Sequence, residues 1–249
     1  MGSIRNSLYR IGGVAALICA LLYVVSLGVY VTAYRVAPPP ATVLEWFTLF
    51  QTNPVTGLFF LGLADIVIMI LWGPLVIAIY DALGQSGKTW ARVAIAFAFV
   101  GMAVYLATNT ASSMLSLSDK YAIAVSETDK TAILAAGQAL ISISVGTGGQ
   151  YTGMPLVWLA GLILSVIMLK NNSFSKSIAW VGILGLGLLL ASMPFAGYTT
   201  TGSTTTGVKV IIAVTYTGGG LLSLAWYILV GLKLIKWGQI KGNIYPQQS

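Results

Sequence analysis

Asp65 is the one ionisable residue that stands well inside a long apolar segment of the sequence. It lies in the stretch 61–67, about 12 Å along a helix that would begin near Gly57, at a rise of about 1.5 Å per residue. A carboxylate that faces lipid at that depth costs about 2.5 kcal/mol or more. We therefore expect Asp65 to face protein or water, either as a ligand-binding group or as a hydrogen-bonded strut between helices.

Further polar residues fall at a comparable depth on two other apolar segments. Tyr105, Asn109, Ser112 and Ser113 follow helical spacing and are predicted to share one helix face. In another apolar segment, three consecutive glycines follow Thr215 and Thr217. Consecutive glycines weaken a helix and favour a local break, which is tolerated against protein or a cavity. Together these residues predict an outward-facing polar pocket lined by Asp65, Tyr105, Asn109, Thr215, Thr217, Gly218 and Gly219.

Each of these residues also has a purely structural interpretation. Asn109 is a natural partner for a hydrogen bond between helices, and the triple glycine is typical of surfaces where two helices pack closely. Close packing is the expected role of the other small residues in the apolar segments: Gly161, Ser165, Gly182, Gly185 and Gly187.

Several classes of chemistry are excluded by composition. The chain has no histidine, which removes histidine-ligated haem, histidine-based zinc catalysis and histidine-activated nucleophiles. Its single cysteine, Cys19, forms no disulfide within the chain. An intramembrane aspartyl protease needs two carboxylates around one water, whereas only Asp65 is deep enough, because Asp81 falls at a segment end. We predict no catalytic residue, no metal site and no cofactor.

Composition also decides the class of fold. Of 249 residues, 57% are hydrophobic and only 8% are charged, against about 25% charged residues in a soluble domain. A membrane-spanning helix needs about 20 consecutive apolar residues. Six segments qualify, so we predict an all-α integral membrane protein formed by one domain, residues 1–249, with spans at about 9–34, 57–80, 90–112, 151–170, 177–197 and 208–232.

The distribution of positive charge predicts the topology, because cytoplasmic loops are enriched in Lys and Arg. Counted along six spans, nine such residues fall on the side that carries both termini and four on the other side. Both termini are therefore predicted to be cytoplasmic. The net charge of +7 thus reflects membrane topology, and no nucleic-acid partner is expected.

Two of the predicted outer loops have helical patterns. Residues 42–50 mix aromatic and aliphatic side chains with Glu45 and suit a short helix at the membrane interface. The longer loop 113–150 contains Ser126 followed by acidic residues, a pattern typical of a helix start. The segment 130–145 either lies on the outer surface or re-enters the membrane. The threonine-rich run 199–207 is predicted to be an exposed loop.

Several stretches of the sequence carry a resemblance to a known family. Residues 104–111, 114–122 and 134–140, together with Asn53-Pro54 followed by 63–67, resemble the prokaryotic multi-pass membrane family called domain of unknown function 4386. The resemblance implies a six-span protein of a prokaryotic plasma membrane with a structured outer loop. It implies no activity and no site residues, because that family has no assigned function.

Three functions fit these patterns. The first is a ligand-binding protein, sensor or carrier, that holds a small or lipid-like molecule in the pocket around Asp65. The second is a structural or accessory subunit that docks onto another membrane protein through its small-residue faces. The third is a proton-coupled secondary transporter, which with six spans would act as an oligomer. The expected partners are the lipid bilayer, a small-molecule or lipid ligand, and a membrane-protein partner or a second copy of the chain.

Overall fold

The described part of the chain consists of helices joined by short turns and contains no strand. The structure, a computed structural model, describes residues 2–36, 40–84, 87–143, 149–171, 173–196 and 206–240. Its helices are α1 Gly2–Val36, α2 Val43–Thr52, α3 Pro54–Phe60, α4 Leu63–Ala82, α5 Lys88–Thr108, α6 Ala111–Ile123, α7 Glu127–Ile141, α8 Met154–Lys170, α9 Lys176–Ala196, α10 Thr206–Ile212 and α11 Gly218–Ile240. Two π-helical turns, Gly149–Gly153 and Ala213–Thr217, precede α8 and α11.

Six helical segments within the described ranges are long and apolar enough to cross a membrane. Their mean hydropathy is between 1.6 and 2.5 over the most apolar window, as expected for helices whose outward surface faces lipid. The prediction of an all-helical chain with six helices able to span a membrane is confirmed. The segments are Ile4–Ala33, Leu63–Ala82, Lys88–Ile123, Gly149–Lys170, Lys176–Phe195 and Val214–Gln239.

The second predicted span differs from the structure at its beginning. An unbroken helix was expected over 57–80, but α3 ends at Phe60 and α4 begins at Leu63. Gly62, between them, has a φ of 87°, which a right-handed helix does not allow. Asp65 consequently lies in the first turn of α4, so the unbroken helix from Gly57 along which its depth was estimated does not exist.

The third predicted span is also interrupted unexpectedly, whereas the sixth lacks the break that was expected at its glycines. The helix of the third span stops at Thr108, and Asn109 and Thr110 are not helical. Tyr105 and Asn109 therefore do not continue along one helix face to Ser112 and Ser113, which are exposed on α6. In the sixth segment no break occurs at the triple glycine. The helix instead widens into the π-helical turn Ala213–Thr217 and resumes at Gly218.

The helices expected in the two loops are present. Helix α2 covers the segment predicted at 42–50, and Thr42 and Glu45 form a reciprocal capping box at its start. Ser126 accepts a hydrogen bond from the backbone of Asp129 at 3.0 Å and caps α7. Residues 197–205, most of the predicted threonine-rich loop, lie outside the described residues.

The chain divides into two compact units. The first comprises residues 1–21, 70–102 and 154–249. Helices α8, α9 and α11 pack closely here because glycines remove the side chains between them: a Cβ on Gly185 would lie 2.8 Å from the backbone nitrogen of Ser223. Trp72, buried in the same unit, donates a hydrogen bond to the Tyr227 hydroxyl at 2.7 Å.

The second unit comprises residues 22–69 and 103–153. Its core forms where α2 packs against α6 and α7, around the buried side chains of Phe47, Phe50 and Met114. A Cβ on Gly137 would lie 2.6 Å from a Val43 methyl, so this glycine lets α7 approach α2. The segment that carries Asp65 belongs to this unit.

Candidate functional site

A local turn in the second unit positions Asp65. Asn53 and Pro54 begin α3, with the Asn53 side chain accepting a hydrogen bond from Thr56 N at 3.1 Å. After seven residues the chain turns at Gly62, whose carbonyl accepts the first hydrogen bond of α4, from Ile66 N at 3.0 Å. Asp65 is thereby placed at the N-terminal end of α4, where the helix dipole favours a negative charge.

Asn109 connects this turn to the second interruption of a helix. Its Nδ2 donates to the carbonyl oxygen of Leu61 at 2.9 Å, and its Oδ1 accepts from Ala111 N at 3.1 Å. One amide side chain therefore satisfies a carbonyl freed where α3 ends and an amide freed where α6 begins. The structural interpretation of Asn109, a hydrogen bond between helices, is supported by this geometry.

Tyr105 contacts the Asp65 carboxylate directly. Its hydroxyl donates to Asp65 Oδ2 at 3.2 Å, longer than the usual O–H···O distance of about 2.7–2.8 Å. Tyr105 is buried at 2% exposure, whereas Asp65 is half-buried. Among the residues that the structure describes, Tyr105 is the hydrogen-bond partner found for this carboxylate, and it leaves Oδ1 available to accept another donor.

Glycines keep the polar cluster compact. A Cβ on Gly62 would overlap the Tyr105 hydroxyl and lie 3.3 Å from both Asn109 Nδ2 and Asp65 Oδ2. A Cβ on Gly149 would lie 2.9 Å from the Tyr105 ring at Cδ2. Because glycine has no side chain, the backbone at both positions can lie close to the polar side chains. A larger residue at either position would displace Asp65, Tyr105 or Asn109.

A further hydroxyl beside the cluster lacks a partner. Thr110 follows Asn109 at the start of α6 and is 5% exposed. Its Oγ1 has no hydrogen-bond partner within the described part of the chain. Such a buried hydroxyl costs about 1–3 kcal/mol unless a water or a ligand satisfies it. Besides Asp65 Oδ1, the second unit thus holds another hydrogen-bonding atom for which no described partner is found.

The structure thus brings together three of the predicted site residues, Asp65, Tyr105 and Asn109, within one unit. The remaining four lie in the other unit. Thr215 is half-buried in the π-helical turn and donates to the Ile211 carbonyl at 2.8 Å, whereas Thr217 is exposed. Their participation in a pocket with Asp65 stays a prediction.

The glycines of α11 take part in helix packing. A Cβ on Gly219 would lie 2.9 Å from the Gly185 carbonyl oxygen and 2.9 Å from Leu189 N, and one on Gly218 would lie 3.9 Å from Leu188. The distances at Gly219 support the close-packing interpretation for this glycine, whereas the contact at Gly218 is an ordinary one. A Cβ on Gly161 would likewise lie close to the Trp72 ring, and one on Gly182 would lie close to the Trp226 ring. These two glycines therefore also allow close packing within the first unit.

Sequence reasoning missed Gly62, Leu61 and Thr110. The signal for Gly62 was present, since Asn53-Pro54 begins a helix only eight residues before a glycine. Nothing in the local pattern identifies Thr110, because its unsatisfied hydroxyl is a consequence of tertiary burial. No group of three or more Cys, Asp and Glu side chains able to hold a metal ion occurs in the ranges that the structure describes.

Comparisons with known proteins add no family to this description. No protein-family model, no curated protein and no solved structure matches the chain. We therefore infer function from the geometry of the chain itself.

Proposed function

We propose that this chain is a six-span membrane protein that binds a small or lipid-like ligand at the polar cluster of Asp65, Tyr105 and Asn109, as a sensor or a carrier. In the proposed arrangement both termini are cytoplasmic, in a prokaryotic plasma membrane, and the cluster faces the outer side. Membership in the domain of unknown function 4386 family is part of the same proposal.

One observation carries the proposal: Asp65 meets Tyr105 at a helix interruption, with one carboxylate oxygen still able to accept a hydrogen bond. A helix interruption within an apolar segment is costly, because it frees backbone groups that lipid cannot satisfy. Such interruptions in membrane proteins commonly form binding sites for polar or charged groups. A purely structural strut would not need the half-buried, partly unpaired carboxylate of Asp65.

The chemistry of the cluster limits the class of ligand. Asp65 offers an acceptor, and a negative charge when ionised, whereas the Tyr105 hydroxyl already donates to it. The surrounding core is aromatic and aliphatic. A molecule with an amine or hydroxyl donor on an apolar body therefore fits better than an anion.

The experiment is mass spectrometry of small molecules released from the chain after purification in mild detergent. Native chain is compared with Asp65→Asn, which keeps the side-chain shape, and with Tyr105→Phe. The matched control is Asp81→Asn, at the other end of α4, where the carboxylate pairs with Arg5 at 2.8 Å. All variants are first shown to be monodisperse with unchanged helix content.

The expected result is a compound that native chain and Asp81→Asn retain and that Asp65→Asn loses, with reduced retention in Tyr105→Phe. The same released molecules from all four proteins would overturn the proposal. In that case the alternatives are an accessory subunit of a larger membrane complex and a proton-coupled transporter acting as an oligomer. The internal packing of Gly161, Gly182 and Gly219 leaves the accessory-subunit alternative with fewer small-residue faces for docking.

A further inference from the structure

A groove of about 420 Å³ lies between the beginning of α5 and the second half of α8, within the first unit. Gly87 and Trp90 form one side, and α8 together with Asn171 forms the other. None of these residues belongs to the Asp65 cluster, so the groove is a separate feature of the molecule.

The wall on α8 is a continuous apolar surface. Leu162, Ile163 and Val166 line it at helical spacing, with Ile167 behind them. At about 1.5 Å per residue, the distance along the helix from Leu162 to Lys170 is about 12 Å. The groove is thus long enough to hold a substantial part of one acyl chain lying parallel to the helix.

The end of the groove is cationic. Lys170, the last residue of α8, is exposed and makes no ion pair with any residue that the structure describes. Lys88 directly follows Gly87 at the start of α5, and no acidic residue is among those that line the groove. The polar end therefore carries a positive charge that nothing in the lining compensates.

This cationic end coincides with the ends of two apolar segments, since one candidate span begins at Lys88 and another ends at Lys170. Trp90, on the rim, is 66% exposed, and exposed indoles favour the boundary between headgroups and hydrocarbon. The charge thus lies at headgroup level, whereas the apolar wall runs into the hydrocarbon.

At the base of the groove, the backbone at Gly87 lies close to the side chain of Ile167. Gly87 has a φ of 75°, and a Cβ there would lie 2.8 Å from the Ile167 side chain. The Asn171 side chain donates to the Leu83 carbonyl at 2.5 Å and accepts from Ser173 N at 3.0 Å. The turns after α4 and α8 are therefore fixed by hydrogen bonds, so the groove is a preformed feature.

We propose that this groove binds one anionic glycerophospholipid, with an acyl chain along Leu162, Ile163 and Val166 and its phosphate beside Lys170. Charge complementarity selects this occupant: the apolar wall on α8 ends at Lys170, at the end of a candidate span, and this lysine makes no ion pair with a described residue. The headgroup of a zwitterionic lipid carries its own positive charge, so its electrostatic attraction to Lys170 is weaker. The proposal is independent of the ligand at Asp65.

The test incorporates the full chain into nanodiscs of equal parts phosphatidylglycerol and phosphatidylcholine, followed by release and native mass spectrometry of retained lipid. The variants are Lys170→Gln, which removes the charge, Lys170→Arg, which keeps it, and Val166→Trp, which fills the groove. The control is Lys236→Gln, an exposed lysine of α11 that does not line the groove.

Native chain, Lys170→Arg and Lys236→Gln are expected to retain phosphatidylglycerol in preference to phosphatidylcholine. Lys170→Gln should lower that preference about fivefold, the effect of one lysine near an anionic surface. Val166→Trp should lose both retained lipids. Unchanged preference in Lys170→Gln, an equal loss in Lys236→Gln, or full retention in Val166→Trp would each overturn the proposal.

Discussion

Asn109 donates a hydrogen bond from Nδ2 to the carbonyl oxygen of Leu61 at 2.9 Å, and with Oδ1 it accepts one from Ala111 N. Leu61 lies where α3 ends and Ala111 where α6 begins, so a single side chain links two interruptions that are distant in sequence. Without it, both freed backbone groups would need another partner. The geometry that holds Tyr105 beside Asp65 therefore depends on Asn109.

Replacing Asn109 by alanine should destabilise the second unit. The change leaves the Leu61 carbonyl and the Ala111 amide without these partners, at a cost of about 1–3 kcal/mol for each group that water does not reach. Thermal unfolding in detergent, followed by circular dichroism, measures the effect. Ser112→Ala, which changes the exposed second residue of α6, is the control and should unfold at the native temperature. Equal midpoints for the two variants would contradict the linking role.

Gly62→Ala should disrupt the cluster, whereas Gly28→Ala in the same unit should not. At Gly62 the φ of 87° costs an alanine about 1–2 kcal/mol, and its methyl group would also overlap the Tyr105 hydroxyl. Gly28 lies within α1 with open space around it, where alanine gains about 0.5–1 kcal/mol of helix stability. The two variants should therefore shift the midpoint of thermal unfolding in opposite directions. A Gly62→Ala midpoint at or above the native value would show that the turn at Gly62 tolerates a side chain.

Two glycines of α9 provide a matched pair for helix packing. A Cβ on Gly182 would lie 2.5 Å from Trp226 Nε1, whereas one on Gly187 meets nothing within 4 Å. Gly182→Ala should overpack the buried face and cost about 1–3 kcal/mol, and Gly187→Ala should be neutral or stabilising. The midpoints of thermal unfolding of the purified variants measure both changes in stability. A stable Gly182→Ala protein would mean that α9 can move away from Trp226.

Ser126→Ala should loosen the beginning of α7 without affecting the rest of the chain. The Ser126 side chain caps this exposed helix by accepting from Asp129 N, and loss of such a cap costs about 1 kcal/mol. Hydrogen exchange of the α7 amides should accelerate about fivefold, whereas exchange in α9 should not change. Thr128→Ala, one residue into the helix and likewise exposed, serves as the control. Unchanged exchange in Ser126→Ala would show that the cap contributes nothing.

Much of this architecture can be predicted from local pattern alone. Six apolar segments of sufficient length specify six helices that can cross a membrane, because burial of apolar surface in lipid depends on composition and length rather than on partners. The caps at Thr42 and Ser126 follow from the same kind of reasoning, since each joins residues only three positions apart. The proximity of Asp65, Tyr105 and Asn109 was also predicted, although the depth argument behind it assumed an unbroken helix and grouped them with residues of the other unit.

The location of the helix interruptions was decided only by tertiary structure. The sequence pattern favoured a break at the triple glycine, yet Gly219 packs against the Gly185 carbonyl while Gly62 takes the left-handed turn. A glycine can adopt either a helical conformation or a left-handed turn, so its position in the sequence does not decide which one forms. Close approach of another backbone stabilises the helical outcome, and a polar partner for the freed carbonyl, here Asn109 for Leu61, stabilises the turn. Both partners come from residues distant in sequence, which is why composition and spacing predicted the helices but not where two of them stop.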